Sequence, residues 1–203
     1  MAELLVWHES TRISHAEAVE KAKAPKALEP HPSIGAFYAE LIAQVPEAKE
    51  RKSHVVVRAS GKGTVARVRY LAAKHRLVVF DPAQRAVVNP PLLRRPDSYE
   101  LATEAEPSIE DPTPEHIVRA AHNLSDANWF MSLEGMDDHF VQCGYGARAG
   151  VPAGRYMLET REDKHLQVEV AGVGEVVAAF QAQLSGDLTW RDRFSWKPVV
   201  NQS

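Results

Sequence analysis

Few side chains in this 203-residue chain have the type and spacing that catalysis or ligand binding would need. The clearest candidate is the segment Ser60-Gly61-Lys62-Gly63-Thr64, which lies between a predicted strand and a predicted helix, where backbone N–H groups can bind phosphate. It is not a Walker motif, because Gly63 follows Lys62 where that motif requires Ser or Thr. We predict either an anion-binding site at Gly61, Lys62, Gly63 and Thr64 or, more simply, a turn with a helix cap.

Cys143 and a pair of glutamates are the remaining candidates for catalysis. As a nucleophile Cys143 would need a histidine, but in an alternating strand it is more simply a small buried apolar residue. Glu159 and Glu169 are expected on adjacent strands, where two carboxylates could serve glycoside hydrolysis. A solvated sheet face explains both glutamates better. We therefore predict no catalytic residues and no enzyme activity.

The nine histidines do not form a pattern typical of a metal site. His116 and His122 are six residues apart, so they do not share a helix face as pairs three or four apart do. The densest cluster of potential ligands is Asp137-Asp138-His139, but it occupies a predicted hairpin turn, where acids are common for conformational reasons. The sequence predicts no metal ion and no cofactor.

Residues 1–95 are predicted to form a small α+β domain with a β-α-β sheet layer. A buried strand at 4–7 precedes a helix capped by Ser14, and a second helix carries apolar residues at helical spacing until Pro46. The β-α-β unit then consists of a strand at 54–58, a helix after Thr64 and a strand at 77–80.

Residues 112–203 are predicted to form a second α+β domain, an antiparallel sheet packed by helices. The residues between the domains, 96–111, are rich in proline and acids and have little periodicity, which predicts a linker. From Trp129 onward the apolar pattern changes to period two and predicts two hairpins, followed by a helix that ends at Gly186. One face of this sheet is expected to be solvated.

Charge is divided unevenly along the chain. Residues 1–98 contain 16 Lys+Arg against 10 Asp+Glu, and residues 99–203 contain 8 against 17, so the halves carry net charges of +6 and −9. An acidic half repels nucleic acid and attracts basic proteins. No apolar run long enough for a membrane span and no signal-peptide pattern is present, and the single cysteine fits a reducing compartment. We expect a cytoplasmic protein without a membrane or nucleic-acid partner.

Two tryptophans follow the last predicted helix, in the segment from Gly186 to Trp196. At least one of them is expected to seal the core, because tryptophan buries a large apolar area. Aromatic residues and arginine are also enriched at the hot spots of protein interfaces. The predicted partner contacts are therefore these aromatic and basic residues together with nearby acids: Trp190, Arg193, Trp196, Asp137, Asp138, Glu159 and Glu169.

Several segments carry a family resemblance: Pro112-Thr113, Phe140-Val141-Gln142, Tyr156-Met157-Leu158-Glu159, Glu175-Val176-Val177 with Phe180, and Gly186-Asp187 with Trp190 and Trp196. Through them, residues 112–198 resemble an immunity-protein family of actinobacterial toxin loci that is often paired with deaminase-like toxins. The resemblance implies a protein that binds and neutralises a cognate toxin by occlusion.

The N-terminal half is similar to a domain of uncharacterised bacterial proteins, through Pro30-His31-Pro32 and the segment from Leu77 to Pro82. This similarity implies no activity, and Arg76 stands where the pattern usually has a glycine. Two alternatives to an immunity function stay open. One is a nucleotide- or phosphate-binding regulator that uses Ser60 to Thr64, and the other is a scaffold module of a bacterial complex.

Overall fold

The structure is a computed structural model that describes residues 2–95, 98–135, 139–161 and 164–199. The chain forms two compact units, Met1–Pro96 and Asp97–Ser203. Both units combine helices with an antiparallel sheet, which confirms the predicted α+β class. No helix in the described ranges is long and apolar enough to cross a membrane.

The N-terminal unit is built on one five-stranded sheet. Its helices and strands, in chain order, are β1 (Ala2–His8), α1 (His15–Lys23), α2 (Pro32–Leu41), β2 (Lys49–Glu50), β3 (His54–Ala59), α3 (Lys62–Lys74), β4 (Leu77–Asp81) and β5 (Ala86–Val88). The strand order is β2-β3-β1-β4-β5, and each pair of neighbours is antiparallel. Because β3 and β4 both run antiparallel to β1 between them, they are parallel to each other, and α3 connects them as a split β-α-β unit.

Helices lie on both faces of this sheet. On one face Leu4 and Val6 belong to a buried cluster with residues of α2 and α3, such as Phe37 and Leu71. On the other face Leu5, Trp7 and Phe80 belong to a second cluster with Ala18 of α1. Strands that are buried on both faces lack polar alternation, which is why β1 and β4 appear in the sequence as continuous apolar runs.

Helix ends in this unit follow their local sequence. The Ser14 side chain accepts from the Glu17 backbone N–H and the Glu17 carboxylate accepts from the Ser14 backbone N–H, so α1 begins with a capping box. The second helix is shorter than the apolar pattern predicted, because α2 ends at Leu41 and a turn continues to Val45. Arg76 follows α3 with a φ of 58°, the left-handed conformation that glycine adopts without strain.

Arg76→Gly is expected to raise the free energy of unfolding by about 0.5 kcal/mol. The left-handed conformation costs a side chain about 1–2 kcal/mol, and the greater freedom of glycine in the unfolded chain offsets part of that gain. Urea denaturation of both proteins measures the difference. Arg67→Gly, inside α3, is the matched control and should lower stability by about 1 kcal/mol. A loss of stability in Arg76→Gly would contradict the strained cap.

The C-terminal unit contains a seven-stranded sheet with strand order β12-β11-β10-β9-β8-β6-β7. Its helices and strands, in chain order, are β6 (Glu100–Thr103), β7 (Ile109–Glu110), α4 (Pro114–His122), β8 (Phe130–Glu134), β9 (Phe140–Tyr145), β10 (Tyr156–Arg161), β11 (His165–Val170), α5 (Val173–Ser185) and β12 (Lys197–Pro198). The segment 96–111, predicted as a linker, thus contributes β6 and β7 to this sheet. β6 pairs with β8 and β7 pairs with β6, and this pairing buries Leu101 and Ile109.

One face of this sheet is covered by helices. The last helix, α5, contacts β9 and β10, and α4 packs on α5. The strand positions on this face are buried, among them Leu133, Val141, Cys143 and Leu158. The alternate positions of the same strands point away from the helices, which accounts for the period-two pattern. As predicted, α5 ends at Gly186, which has a φ of 78°.

Candidate partner-binding surface

The antiparallel register brings side chains of six strands together on the sheet face opposite α5. Residues directly opposite each other on paired strands share a face, so the register defines its members. We call it the open sheet face; it consists of Glu100, Ala102, Glu110, Phe130, Ser132, Glu134, Phe140, Gln142, Gly144, Met157, Glu159, Arg161, His165, Gln167 and Glu169, with Lys197 of β12 opposite Gln167 at its edge. Most of these residues are exposed or half-buried, in contrast to the helix-facing positions.

Three carboxylates lie in register at one end of the open sheet face. Glu100 of β6 is directly opposite Glu110 of β7 on one side and Glu134 of β8 on the other. The buried Ser132 hydroxyl donates to Glu134 Oε1 at 2.9 Å and so fixes the direction of that carboxylate. Like charges directly opposite each other destabilise a sheet, so the stability of the fold does not explain this acidic row.

Glu159 occupies the middle of the open sheet face within a polar network. Its Oε2 accepts from Gln142 Nε2 at 3.0 Å, and His165 Nε2 lies 2.7 Å from the same oxygen. The Phe140 ring meets the His165 ring edge-on, with 5.5 Å between their centroids. The structure therefore places Glu159 on the surface where the sequence predicted a solvated acid, in an orientation that three neighbouring side chains hold.

Glu169 lies on the strand next to Glu159, as predicted, but the two carboxylates have different partners. Arg155 Nε donates to Glu169 Oε1 at 2.7 Å, and both side chains of this pair are about 40% exposed (40% and 42%). An exposed pair of this kind contributes at most about 1 kcal/mol to stability. Glu159 is thus held by His165 and Gln142, and Glu169 by Arg155.

Trp129 and the turn Gly146–Ala149 cover one part of the open sheet face, above Gly144. A Cβ on Gly144 would lie 2.5 Å from the Ala149 Cβ and 3.6 Å from the Trp129 ring. The exposed Arg148 places its guanidinium 4.9 Å from the centroid of the Trp129 ring, a cation–π contact at the border of the surface. Neither Trp129 nor Arg148 is among the predicted site residues; Trp129 was predicted only as the start of a strand, which in the structure begins at Phe130.

Gly144→Ala is expected to lower the free energy of unfolding by about 1–3 kcal/mol, because its methyl group would overlap Ala149. Ala149→Gly removes the atom that the new methyl group meets, so the double variant should recover most of the loss. Urea denaturation of the four proteins in this cycle gives the coupling energy. Ala147→Gly in the same turn is the control. Absence of coupling between positions 144 and 149 would rule out the close approach.

Cys143 faces the helices and is fully buried. Its Sγ contacts the Gly144 carbonyl oxygen at 3.7 Å. Burial raises the pKa of the Cys143 thiol, and the charge of Glu159 raises it further, so the nucleophilic thiolate is disfavoured. The thiol has the environment expected of a small apolar core residue.

The aromatic tail after α5 divides into buried and accessible residues. Trp190 is only 1% exposed and its indole N–H donates to Gln183 Oε1 at 3.3 Å, so it seals the core and is not free to contact a partner. Trp196 is half-buried, packs edge-on against Trp190, and donates its indole N–H to the Arg191 carbonyl oxygen at 2.8 Å. Arg193 is exposed. Of the predicted contacts in the tail, Arg193 and part of Trp196 are accessible.

The other predicted site residues lie apart from the open sheet face. Asp137 and Asp138 are outside the described residues. Gly61 precedes α3 in the N-terminal unit, and a Cβ on Gly61 or on Gly63 would meet no described atom within 4 Å, so this loop is open. Ser60 Oγ and Thr64 Oγ1 are 3.5 Å apart, and Lys62 is exposed at the first position of α3. The helix begins at Lys62, inside the segment predicted as a turn, and its N-cap residue, Gly61, forms no side-chain cap bond.

Within the described part of the chain, no group of three or more His, Cys, Asp or Glu side chains has an arrangement that could hold a metal ion.

The chain matches no protein-family model, no curated protein and no solved structure. The role of the chain is therefore inferred from the chemistry of the open sheet face. A broad face with oriented carboxylates, half-buried aromatic rings and an arginine–tryptophan pair at its border is suited to contact a basic macromolecule.

Proposed function

We propose that this chain is a cytoplasmic immunity-type protein that binds a cognate protein toxin with a basic surface and neutralises it by occlusion. The acidic row of Glu110, Glu100 and Glu134 carries the proposal. In the free protein these carboxylates repel one another across the strands, whereas lysine or arginine side chains of a partner would convert the repulsion into attraction. Such a surface lowers the stability of the free protein and raises its affinity for a basic partner.

The dimensions of the open sheet face fit a protein partner. Six strands spaced by about 4.8 Å give a width of roughly 25 Å, and the four longer strands, β8 to β11, give a length of about 18 Å, whereas β6 and β7 are shorter. The flat area is then below about 450 Å², compared with about 800 Å² of accessible surface that each partner buries in a standard interface. The sheet face can therefore form the centre of such an interface, and bordering residues such as Arg148 would extend it.

The net charge of this half supports the same partner. Residues 99–203 contain 8 Lys+Arg against 17 Asp+Glu. A surface of one sign steers an oppositely charged protein toward it and raises the association rate by about 10- to 1,000-fold at low ionic strength. Toxins that act on nucleic acid need basic surfaces for their own substrates, so an acidic protein can compete for the same surface.

The segments that carry the family resemblance include residues on both faces of the sheet, and this supports the proposal. Val141 and Leu158 face the helices and explain part of the pattern through packing alone. Gln142 and Glu159, in the same two segments, face the other way and bond to each other on the open sheet face. A pattern that includes both faces of β9 and β10 is consistent with a sheet that is used for binding as well as for folding.

Co-expression tests the function directly. The product of the neighbouring gene, expressed alone in a bacterial host, should stop growth, and co-expression of this chain should restore growth. The purified pair should form a stoichiometric complex in size-exclusion chromatography at low salt. A neighbouring product that is harmless alone, or that stays equally toxic in the presence of this chain, would refute the proposal.

A further inference from the structure

The N-terminal unit contains an open groove on the sheet face that α1 only partly covers. Helix α1 contacts β5 at one side of this face. Beside the helix lies a groove of about 520 Å³, within the range of about 300–1,000 Å³ that is common for small-molecule sites. This groove belongs to the N-terminal unit alone and is independent of the function proposed for the C-terminal unit.

The floor and walls of the groove are apolar. Leu5 of β1 is directly opposite Val56 of β3 and Phe80 of β4, so these three side chains form one row across the sheet. Val19 and Ala22, three residues apart on one face of α1, form a wall. Leu5 and Phe80 are buried but Val56 is half-buried, so the row reaches solvent at the β3 side.

Arg85 stands at the rim of the groove in a strained conformation. Its φ is 53°, and the preceding turn is fixed by the buried Asp81, whose Oδ1 accepts from the Ala83 and Gln84 backbone N–H groups at 2.9 and 3.2 Å. Arg85 is exposed and, within the described residues, forms no ion pair.

The other charged residues at the rim are already paired or neutral. Lys23 pairs with Glu20 at 2.6 Å, and Glu3 lies 3.9 Å from Arg58. Burial, with a smaller contribution from Arg51, lowers the pKa of His54, so that its imidazole is neutral at pH 7. Of the two side chains lining the groove that carry a full positive charge, Lys23 and Arg85, Arg85 is thus the one without an ion pair among the described residues.

We propose that this groove binds a small amphiphile that has one carboxylate and an unbranched apolar chain of about eight carbons, the length that crosses the two strand spacings of about 4.8 Å between Val56 and Phe80. The hydrocarbon lies along the row of Leu5, Val56 and Phe80, and the carboxylate pairs with the Arg85 guanidinium. Guanidinium and carboxylate groups match each other in a bidentate geometry, which makes arginine the suitable cation for this head group.

Sodium octanoate is the probe, and two ligands of the same chain length serve as comparisons. Titration of the ¹⁵N-labelled full chain is followed by NMR, with 1-octanol as the neutral ligand and octylamine as the cationic one. Octanoate should give saturable shifts at the amides of Leu5, Val56, Phe80 and the second half of α1, with a Kd on the order of 1 mM for ten heavy atoms. Octanol should bind about tenfold more weakly, and octylamine more weakly still.

Variants separate the head-group contact from the apolar contact. Arg85→Gln should weaken octanoate binding about tenfold and leave octanol binding unchanged. Arg76→Gln is the matched control, because Arg76 is also an exposed left-handed arginine of this unit but is not part of the groove. Ala22→Phe places a ring in the groove and should abolish the binding of both ligands.

Several outcomes would overturn the proposal. Shifts that do not saturate, that fall outside the groove, or that are equal for octanoate and octylamine would exclude a carboxylate site. An equal loss in Arg85→Gln and Arg76→Gln would show a general charge effect. Groove amides that shift on dilution without any ligand would show that a second copy of the chain occupies it. The comparison of the three ligands uses the wild-type protein. It therefore tests the proposal even if Ala22→Phe folds poorly.

Discussion

Trp190→Ala is expected to lower the free energy of unfolding of the C-terminal unit by about 3–5 kcal/mol. The side chain is 1% exposed, and its loss would leave a large cavity between α5 and the tail. Its ring also packs edge-on against Phe194 and Trp196, so these contacts would be lost as well. Hydrogen exchange at the amides of α5 and urea denaturation followed by circular dichroism measure the effect.

Two neighbouring substitutions show whether the tail serves the core or a partner. Trp190→Phe keeps most of the apolar area and should cost about 1–2 kcal/mol. Arg193→Ala removes an exposed side chain and should change stability by less than about 0.5 kcal/mol. If Trp190→Ala costs less than about 1 kcal/mol, the tail is not part of the core. A loss of toxin binding in Arg193→Ala without a change in stability would identify a contact in the tail.

Much of the fold could be predicted because its elements are long and regularly patterned. Residues Val176 and Phe180 place an apolar stripe on α5, and Gly186 allows the left-handed backbone that ends it. The strands β1 and β4 are continuous apolar runs because helices cover both faces of their sheet. These features are determined by residues that are close in sequence, so the local sequence pattern was enough to predict them.

The short strands β6 and β7 could not be predicted in this way. They are four and two residues long, and Leu101 and Ile109 are too isolated in the sequence to form a periodic pattern. β6 is a strand because it pairs with β8, which lies further along the chain, and β7 is a strand because it pairs with β6. The position of β1 between β3 and β4 has the same origin, since the local pattern of the β-α-β unit does not specify which strands are neighbours.

The open sheet face was predictable only in part, because it too depends on the pairing of strands that are distant in sequence. Alternation along β10 was enough to place Glu159 on a solvated face. The acidic row depends on the register of three strands, and no property of the sequence near Glu100 indicates that Glu110 and Glu134 are opposite it. In the tail, residue type alone could not separate Trp190, which is buried, from Trp196, which is half-buried.

Glu100→Lys is expected to stabilise the free protein and to weaken toxin binding, a combination that distinguishes a binding surface from a structural one. The substitution turns two like-charged cross-strand pairs, with Glu110 and Glu134, into attractive pairs. Each pair is worth about 0.2–1 kcal/mol, so the free energy of unfolding should rise by roughly 0.5–2 kcal/mol. Binding to a basic toxin should weaken by about 10- to 100-fold, mainly through a slower association rate at low salt.

Stopped-flow association at several salt concentrations and urea denaturation provide the two readouts. The difference between wild type and Glu100→Lys should shrink as salt rises, because screening acts on the same charges. Glu115→Lys makes the same charge change on an exposed position of α4, away from the open sheet face, and should alter the Kd by less than about threefold. A variant that is more stable yet binds as tightly as wild type would remove the acidic row from the interface. A less stable variant would mean that these carboxylates do not oppose one another.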